Sequence, residues 1–178
     1  LTVASEDILY DQKTFAGYEN INFVPYRKRF TAYRLLMGIL RRAGIGDGSP
    51  VRMNAKIVDN YDIILSAGGD NYAEAPGGGL YHILLDLLKI GDRACRKGKM
   101  FVLWGASVGP FGPENREMIK KNLEKAELIF PREKISYNYL NSMGVKADKI
   151  QLVADPAFCM PPAEDFPLSK QAGQKIIG

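Results

Sequence analysis

The sequence predicts an α/β fold, a three-layer domain built on a mostly parallel sheet. Two observations predict it. Four apolar runs each stop at a polar or glycine-rich tip: Tyr61-Asp-Ile-Ile-Leu-Ser-Ala-Gly-Gly-Asp70, Met100-Phe-Val-Leu-Trp-Gly-Ala-Ser-Val-Gly-Pro110, Leu128-Ile-Phe-Pro-Arg-Glu133 and Ile150-Gln-Leu-Val-Ala-Asp-Pro-Ala-Phe158. Stretches with helical spacing separate these runs. A parallel sheet covered on both faces needs near-continuous apolar strands, and strands alternating with helices imply βαβ units. Such sheets bind ligands at the carboxyl ends of their strands. The polar tips should therefore gather function on one edge.

The elements follow in chain order. Leu1 to Ser5 and Ile21 to Tyr26 are short strand candidates. Glu6 to Asn20 is polar, contains Gly17, and reads as a loop. Phe30 to Ala43 carries Leu35, Leu36, Ile39 and Leu40 at helical spacing. Gly44, Gly46, Gly48 and Pro50 end that helix. Leu80, Ile83, Leu84, Leu87 and Leu88 mark a further helix, continuing past Gly91 to about Lys97 despite the cost of a glycine. Pro113 suits the first turn of a helix reaching about Ala126, where a missing N–H does no harm. Glu133 to Met143 is a last helix, stopped by Gly144. The prolines at 156, 161, 162 and 167 make Asp155 to Ser169 a connector.

Bulk properties exclude several classes. The 178 residues suit one domain with a sizeable core. A net charge of +4 does not of itself indicate nucleic acid. No apolar run reaches membrane-spanning length, and no signal peptide opens the chain. The two cysteines, Cys95 and Cys159, are far apart and form neither a disulfide framework nor a zinc motif. Both are expected to serve packing, in a reducing cytoplasm.

The tips carry the candidate site. Ser66 to Gly79 leaves a strand, holds five glycines and leads into a helix. Glycines permit close backbone approach, and N–H groups at a helix start attract anions. Gly68 and Gly69 contact a ligand there or form only a tight turn. Asp70 and Asn71 hold a sugar hydroxyl or take its proton, or cap a turn. Ser107, Gly109 and Pro110 set the second tip. Ser107 suits a hydrogen bond to substrate better than nucleophilic attack, since no histidine is near it in sequence. Arg132 presents a planar fork suited to carboxylate and phosphate, beside Glu133. The alternative is a structural ion pair, with Ser136 or Glu133 serving the helix start. Asp155 bonds a substrate hydroxyl, bonds a helix start, or merely opens a turn. His82, the single histidine, lies beside the glycine-rich tip, but no partner is identifiable by spacing. Arg27, Lys28, Arg29, Arg34, Arg41, Arg42, Arg52 and Lys56 form a basic region. It reads as a solvated face, or as an attraction for an anionic donor or a lipid-linked acceptor at the membrane surface. No cluster with metal-ligand spacing is present, so no metal is expected.

In order and wording these segments resemble the polysaccharide pyruvyl transferase family. The shared pieces are the Gly-Gly tip in Ser66-Ala-Gly-Gly-Asp-Asn71, the run Gly105-Ala-Ser-Val-Gly-Pro-Phe111, the Arg-Glu pair with a serine in Arg132-Glu-Lys-Ile-Ser136, and the Asp155 to Phe158 strand end. The resemblance implies a Rossmann-like domain forming the N-terminal half of a two-domain enzyme like the GT-B glycosyltransferases. It also implies transfer of a pyruvyl group from phosphoenolpyruvate to sugar hydroxyls, as a ketal, on a glycan or lipid-linked acceptor of exopolysaccharide or cell-surface synthesis. Phosphoenolpyruvate is then a donor substrate, and no cofactor is required.

On this reading, residues 1–160 are the N-terminal domain without its first β-α unit, and residues 161–178 are the connector and the start of a second domain. Leu1 to Ser5 reads as a strand starting at once, and Lys175 to Gly178 as a strand broken midway. The fragment alone is expected to be inactive. Its site would comprise Asp70 and Arg132 as catalytic residues, with Gly68, Gly69, Asn71, Ser107, Gly109, Glu133 and Asp155 binding substrate. The rival readings are a nucleotide-sugar glycosyltransferase of related architecture and a non-enzymatic sugar- or nucleotide-binding module. A cytoplasmic location, at the inner face of the membrane, completes the expectation.

Overall fold

The computed structural model describes residues 1–5, 7–25, 39, 55–74 and 82–160. Among these residues, five strands pair in two parallel sheets. Strand β1 (Thr2–Ser5) pairs with β2 (Asn22–Pro25). The site-bearing sheet has the order β3 (Ile63–Ala67), β4 (Met100–Ala106), β5 (Leu128–Pro131). Its register sets Leu65 beside Val102 and Leu103 beside Ile129. Parallel neighbours need a crossover, and helices supply it: α2 (His82–Arg96) joins β3 to β4, and α3 (Pro113–Leu123) joins β4 to β5. Helix α4 (Lys134–Ser142) follows β5. The α/β reading with parallel strands holds for the first three apolar runs.

One face of this sheet is the core. Leu84 of α2, Leu103 of β4, Ile119 and Leu123 of α3, Ile129 of β5 and Leu140 of α4 are each at most 1 % exposed. Burying a side chain of this kind contributes about 1.5–3 kcal/mol, so this shared layer holds sheet and helices together. Helix α2 comes close to the strands because Gly91 lies against Phe101. A Cβ at residue 91 would fall 2.7 Å from the Phe101 ring. The glycine that weakens the helix locally thus permits its packing.

Several expectations need correction. The sheet is not buried on both faces among the described residues, since Ile63, Leu65, Met100 and Trp104 stay exposed on the face opposite the core. The helices after β3 and β4 both cover the other side, as successive crossovers of one hand require. The fourth apolar run is not a full strand. It touches β5 through one bridge, Ile129 with Ile150, and through Gln151 N to Ile129 O and Val153 N to Pro131 O, both at 3.0 Å. Pro156 has no N–H to continue the ladder, and Pro156–Cys159 turns into a 3-10 helix.

The Glu6 to Asn20 stretch contains a helix, α1 (Ile8–Thr14), not only a loop. Asp7 starts it by accepting from Tyr10 N at 3.1 Å. Cys159 is exposed rather than packed, whereas Cys95 is half-buried and donates to Lys125 O at 2.9 Å. A 3-10 turn at Ala55–Asn60 was not anticipated; it buries Val58 against α2 and is tied down by the Arg93–Asp59 ion pair. Apart from Ile39, which is helical and exposed, the helix expected over 30–43 lies outside the described residues, as do the basic residues from Arg27 to Arg52, Pro76 to Gly79 and everything after 160. No helix among the described residues is long and apolar enough to cross a membrane.

Candidate functional site

The first two tips are zipped side by side beyond the ends of their strands. Gly68 N donates to Trp104 O at 2.8 Å, Ser107 N to Gly69 O at 3.1 Å, and Gly109 N to Tyr72 O at 2.7 Å. A parallel bridge between Tyr72 and Val108 extends the zip. The Gly68 N–H is thereby committed to the sheet and is not offered to an anion. Asn71 closes the turn through Nδ2 to Gly68 O at 3.4 Å. Tyr72, 1 % exposed, donates its hydroxyl to Ser66 Oγ at 2.9 Å from beneath.

The second tip is pinned by α4. Ser136 is 2 % exposed, and its Oγ accepts from Val108 N at 2.7 Å while donating to Glu133 Oε1. Neither Ser136 nor Glu133 caps the helix backbone with its side chain, as one expectation had it. Both are spent on the loop. Tyr139 accepts from Phe111 N at 2.8 Å, just after the cis Gly109–Pro110 bond. From the first tip, Glu74 accepts from Gly112 N and from Asn115 Nδ2, each at 2.8 Å.

Arg132 sits at the centre of the tips. Its Nε donates to Ser107 Oγ at 2.9 Å, its Nη1 to Asp155 Oδ2 at 2.9 Å and its Nη2 to Asp70 Oδ1 at 2.6 Å. Glu133 Oε2 stands 3.4 Å from Nε and accepts from the Ser107 hydroxyl at 3.2 Å. The ends of three strands and of the fourth apolar run thus meet on one guanidinium, which faces three carboxylates. Its hydrogen bond with Asp155, together with the nearby charges of Asp70, Asp155 and Glu133, holds the Arg132 pKa above its ordinary value. The Asp155 carboxyl is held below the usual range, first by the N–H of Ala157 and then by Arg132.

The members differ in how firmly they are held. Asp155 bonds twice, since Oδ1 also accepts from Ala157 N at 2.9 Å. Glu133 is fixed by two serine hydroxyls. Asp70 is 78 % exposed at its side chain, and among the described residues Arg132 is its hydrogen-bond partner.

All the anticipated residues except Gly68, Gly69, Asn71 and Gly109 join this cluster through their side chains. Those four shape the backbone around it. His82 opens α2, and its side chain is outside the described part. The basic residue Lys56 lies in the 3-10 turn, exposed and apart from the tips. Sequence reasoning missed Glu74 and Tyr139, whose contacts span 38 and 28 residues and carry no local signal. A shallow depression lined by Phe111, Arg116, Glu117, Lys120 and Met143 runs along α3, with none of the Arg132 partners in its wall. Among the described residues, no group of three or more His, Cys, Asp or Glu side chains is arranged to hold a metal.

Chemically, the cluster offers an oriented cation, exposed and fixed carboxylates, and a serine hydroxyl between them. That set suits acid–base work on hydroxyl groups and charge stabilisation next to it. A family model described as polysaccharide pyruvyl transferase matches residues 3–176. No curated protein and no solved structure matches the chain.

Proposed function

Because the chain belongs to the polysaccharide pyruvyl transferase family, we propose that the Arg132 cluster is the centre of a pyruvyl transfer from phosphoenolpyruvate to two hydroxyls of a sugar. The observation that carries this reading is the meeting of Arg132 with Asp70, Ser107 and Asp155 at the carboxyl ends of parallel strands.

The reaction divides its work among these groups. One sugar hydroxyl adds to C2 of the donor, forming a C–O bond as the enol double bond opens. The methylene carbon takes a proton and becomes a methyl group. The second hydroxyl then forms its bond to C2 as the C2–O bond to phosphate breaks, and phosphate leaves with the electron pair. Asp70, exposed at the tip, is the base that takes a hydroxyl proton. Such proton transfer contributes typically about 10²–10⁴-fold in rate. Arg132 neutralises anionic charge on the donor as phosphate departs, as a preorganised cation does most effectively in a closed site. Asp155, Glu133 and Ser107 hold the guanidinium in place.

One guanidinium already paired with carboxylates is too little for a donor carrying both carboxylate and phosphate. We assign the remaining cations to a second domain closing over the tips, in the manner of two-domain GT-B transferases, so that residues 1–178 alone fold but do not turn over. The acceptor is a glycan or lipid-linked sugar of exopolysaccharide or cell-surface synthesis, met in the cytoplasm at the inner membrane face. No cofactor is needed.

The test is to incubate the full-length protein with phosphoenolpyruvate and candidate glycans. Phosphate release matched by a new sugar-linked carboxylate and methyl group is expected. Transfer of a sugar from a nucleotide donor, with no ketal formed, would replace this reading with glycosyl transfer.

A further inference from the structure

We infer that Asp70 is a gate on Arg132: in the empty site it occupies the Nη2 position that an anionic donor takes, and donor binding releases it to act as base. The inference rests on the proposed donor, a phosphorylated carboxylate, and adds an order of events to it.

The three acids around Arg132 are not equivalent. Asp155 cannot leave without uncapping the turn at Pro156–Cys159, because the same carboxylate accepts from Ala157 N. Glu133 cannot leave without breaking its bonds to Ser136 and Ser107. Asp70 gives up one ion pair, stands 78 % exposed, and follows a turn that Gly68 and Asn71 hold independently of its side chain. An ion pair with one end largely in water contributes little, because the solvent screens it. The Asp70 pair is therefore the one an incoming dianion displaces most easily. Displacement also makes chemical sense. While Oδ1 of Asp70 accepts from Arg132 Nη2, that oxygen is occupied, and once displaced it is open to a sugar hydroxyl. The carboxylate oxygen thus becomes available to the acceptor only once the donor is in place.

The experiment is equilibrium titration of phosphoenolpyruvate into the full-length wild type, Asp70→Asn and Asp155→Asn, followed by calorimetry and by tryptophan fluorescence, Trp104 being the single tryptophan of these 178 residues. Circular dichroism checks that each variant is folded, and turnover is measured alongside. Both substitutions remove one negative charge from the same guanidinium, so charge alone would tighten both equally. The gate predicts that Asp70→Asn binds donor about two- to five-fold more tightly, the range an exposed pair allows, while losing turnover. It predicts that Asp155→Asn binds no better than wild type, because Arg132 loses its anchor. Equal tightening in both variants, or none in Asp70→Asn, overturns the gate and leaves the donor assignment standing. Absence of phosphoenolpyruvate binding in all three folded proteins overturns the donor assignment and the gate with it.

Discussion

Gly105 and Pro156 are in such close contact that a Cβ on the glycine would lie 2.5 Å from Pro156 Cδ. Gly105 also holds a left-handed φ of +62°. The strand that delivers Ser107 is thereby wedged against the segment that delivers Asp155, and the two partners of Arg132 are positioned by one contact. Gly105→Ala should push Pro156 away and separate Asp155 from Arg132. Overpacking of this kind costs about 1–3 kcal/mol. Activity should fall further than that loss of stability explains. Denaturant unfolding and turnover measured together would show it. A variant with wild-type turnover would mean that the wedge does not set the site.

Ser136 governs the second tip from below. Its hydroxyl is the acceptor for the buried Val108 N–H, so Ser136→Ala leaves that donor unpaired. The expected loss is about 1–3 kcal/mol, read from the shift in urea midpoint at unchanged slope. A loss within about 0.5 kcal/mol, the range of ordinary surface changes, would show that another acceptor replaces it.

Acid should dismantle the cluster through Asp155. Its folded pKa lies below the unfolded value because Ala157 N–H and Arg132 favour the charged form. Its contribution is therefore present in full above the unfolded value, about 3.9, and is lost as pH falls through the lower folded value. Asp59 and Asp92 are lowered as well, by Arg93 and Lys125 respectively. The Asp155 share must be read as the difference between wild type and Asp155→Asn. That difference should shrink as pH drops below about 4. A difference independent of pH down to acid unfolding would contradict the ion-pair assignment.

The two thiols should react unequally. Burial pushes the Cys95 thiol up, and its Sγ is bonded to Lys125 O, whereas Cys159 is exposed. Thiolate is the reactive form, so a mild alkylating reagent at neutral pH should label Cys159 well before Cys95. Peptide mass mapping over time reads the order. Equal rates would show that the region between α2 and α3 opens readily.

Much of this architecture was legible because apolar runs and their stops are local. Ile63 to Ala67, Met100 to Ala106 and Leu128 to Pro131 announce strands in their own residues, and Pro113 and Gly144 mark helix ends within a turn. The convergence of Asp70, Ser107, Arg132 and Asp155 followed from the same logic, since each ends an apolar run. What failed was non-local or competitive. The fourth run has strand composition, yet Pro156 and the wedge at Gly105 divert it. The stretch after Ser5 looks like a loop, but the Asp7 cap stabilises a short helix. The protein partners of Asp155 and Glu133, Ala157 N and the Ser107 and Ser136 hydroxyls, are likewise not marked by any spacing along the chain. Glu74 clasps Gly112 across 38 residues and was invisible for the same reason.

The measurement closest to the central claim compares wild-type and Arg132→Ala full-length protein in one assay of phosphate release and ketal formation, with thermal unfolding recorded in parallel. Arg132 is partly exposed, at 26 % of its side chain, so the substitution should alter folding stability modestly. Losing a charged hydrogen bond at a reacting centre should remove about 1.5–3 kcal/mol of transition-state stabilisation, a rate loss of about ten- to a hundred-fold. Phosphate and ketal should fall together while the protein remains folded. A folded Arg132→Ala protein that forms ketal at the wild-type rate would contradict this and leave Arg132 a structural ion pair.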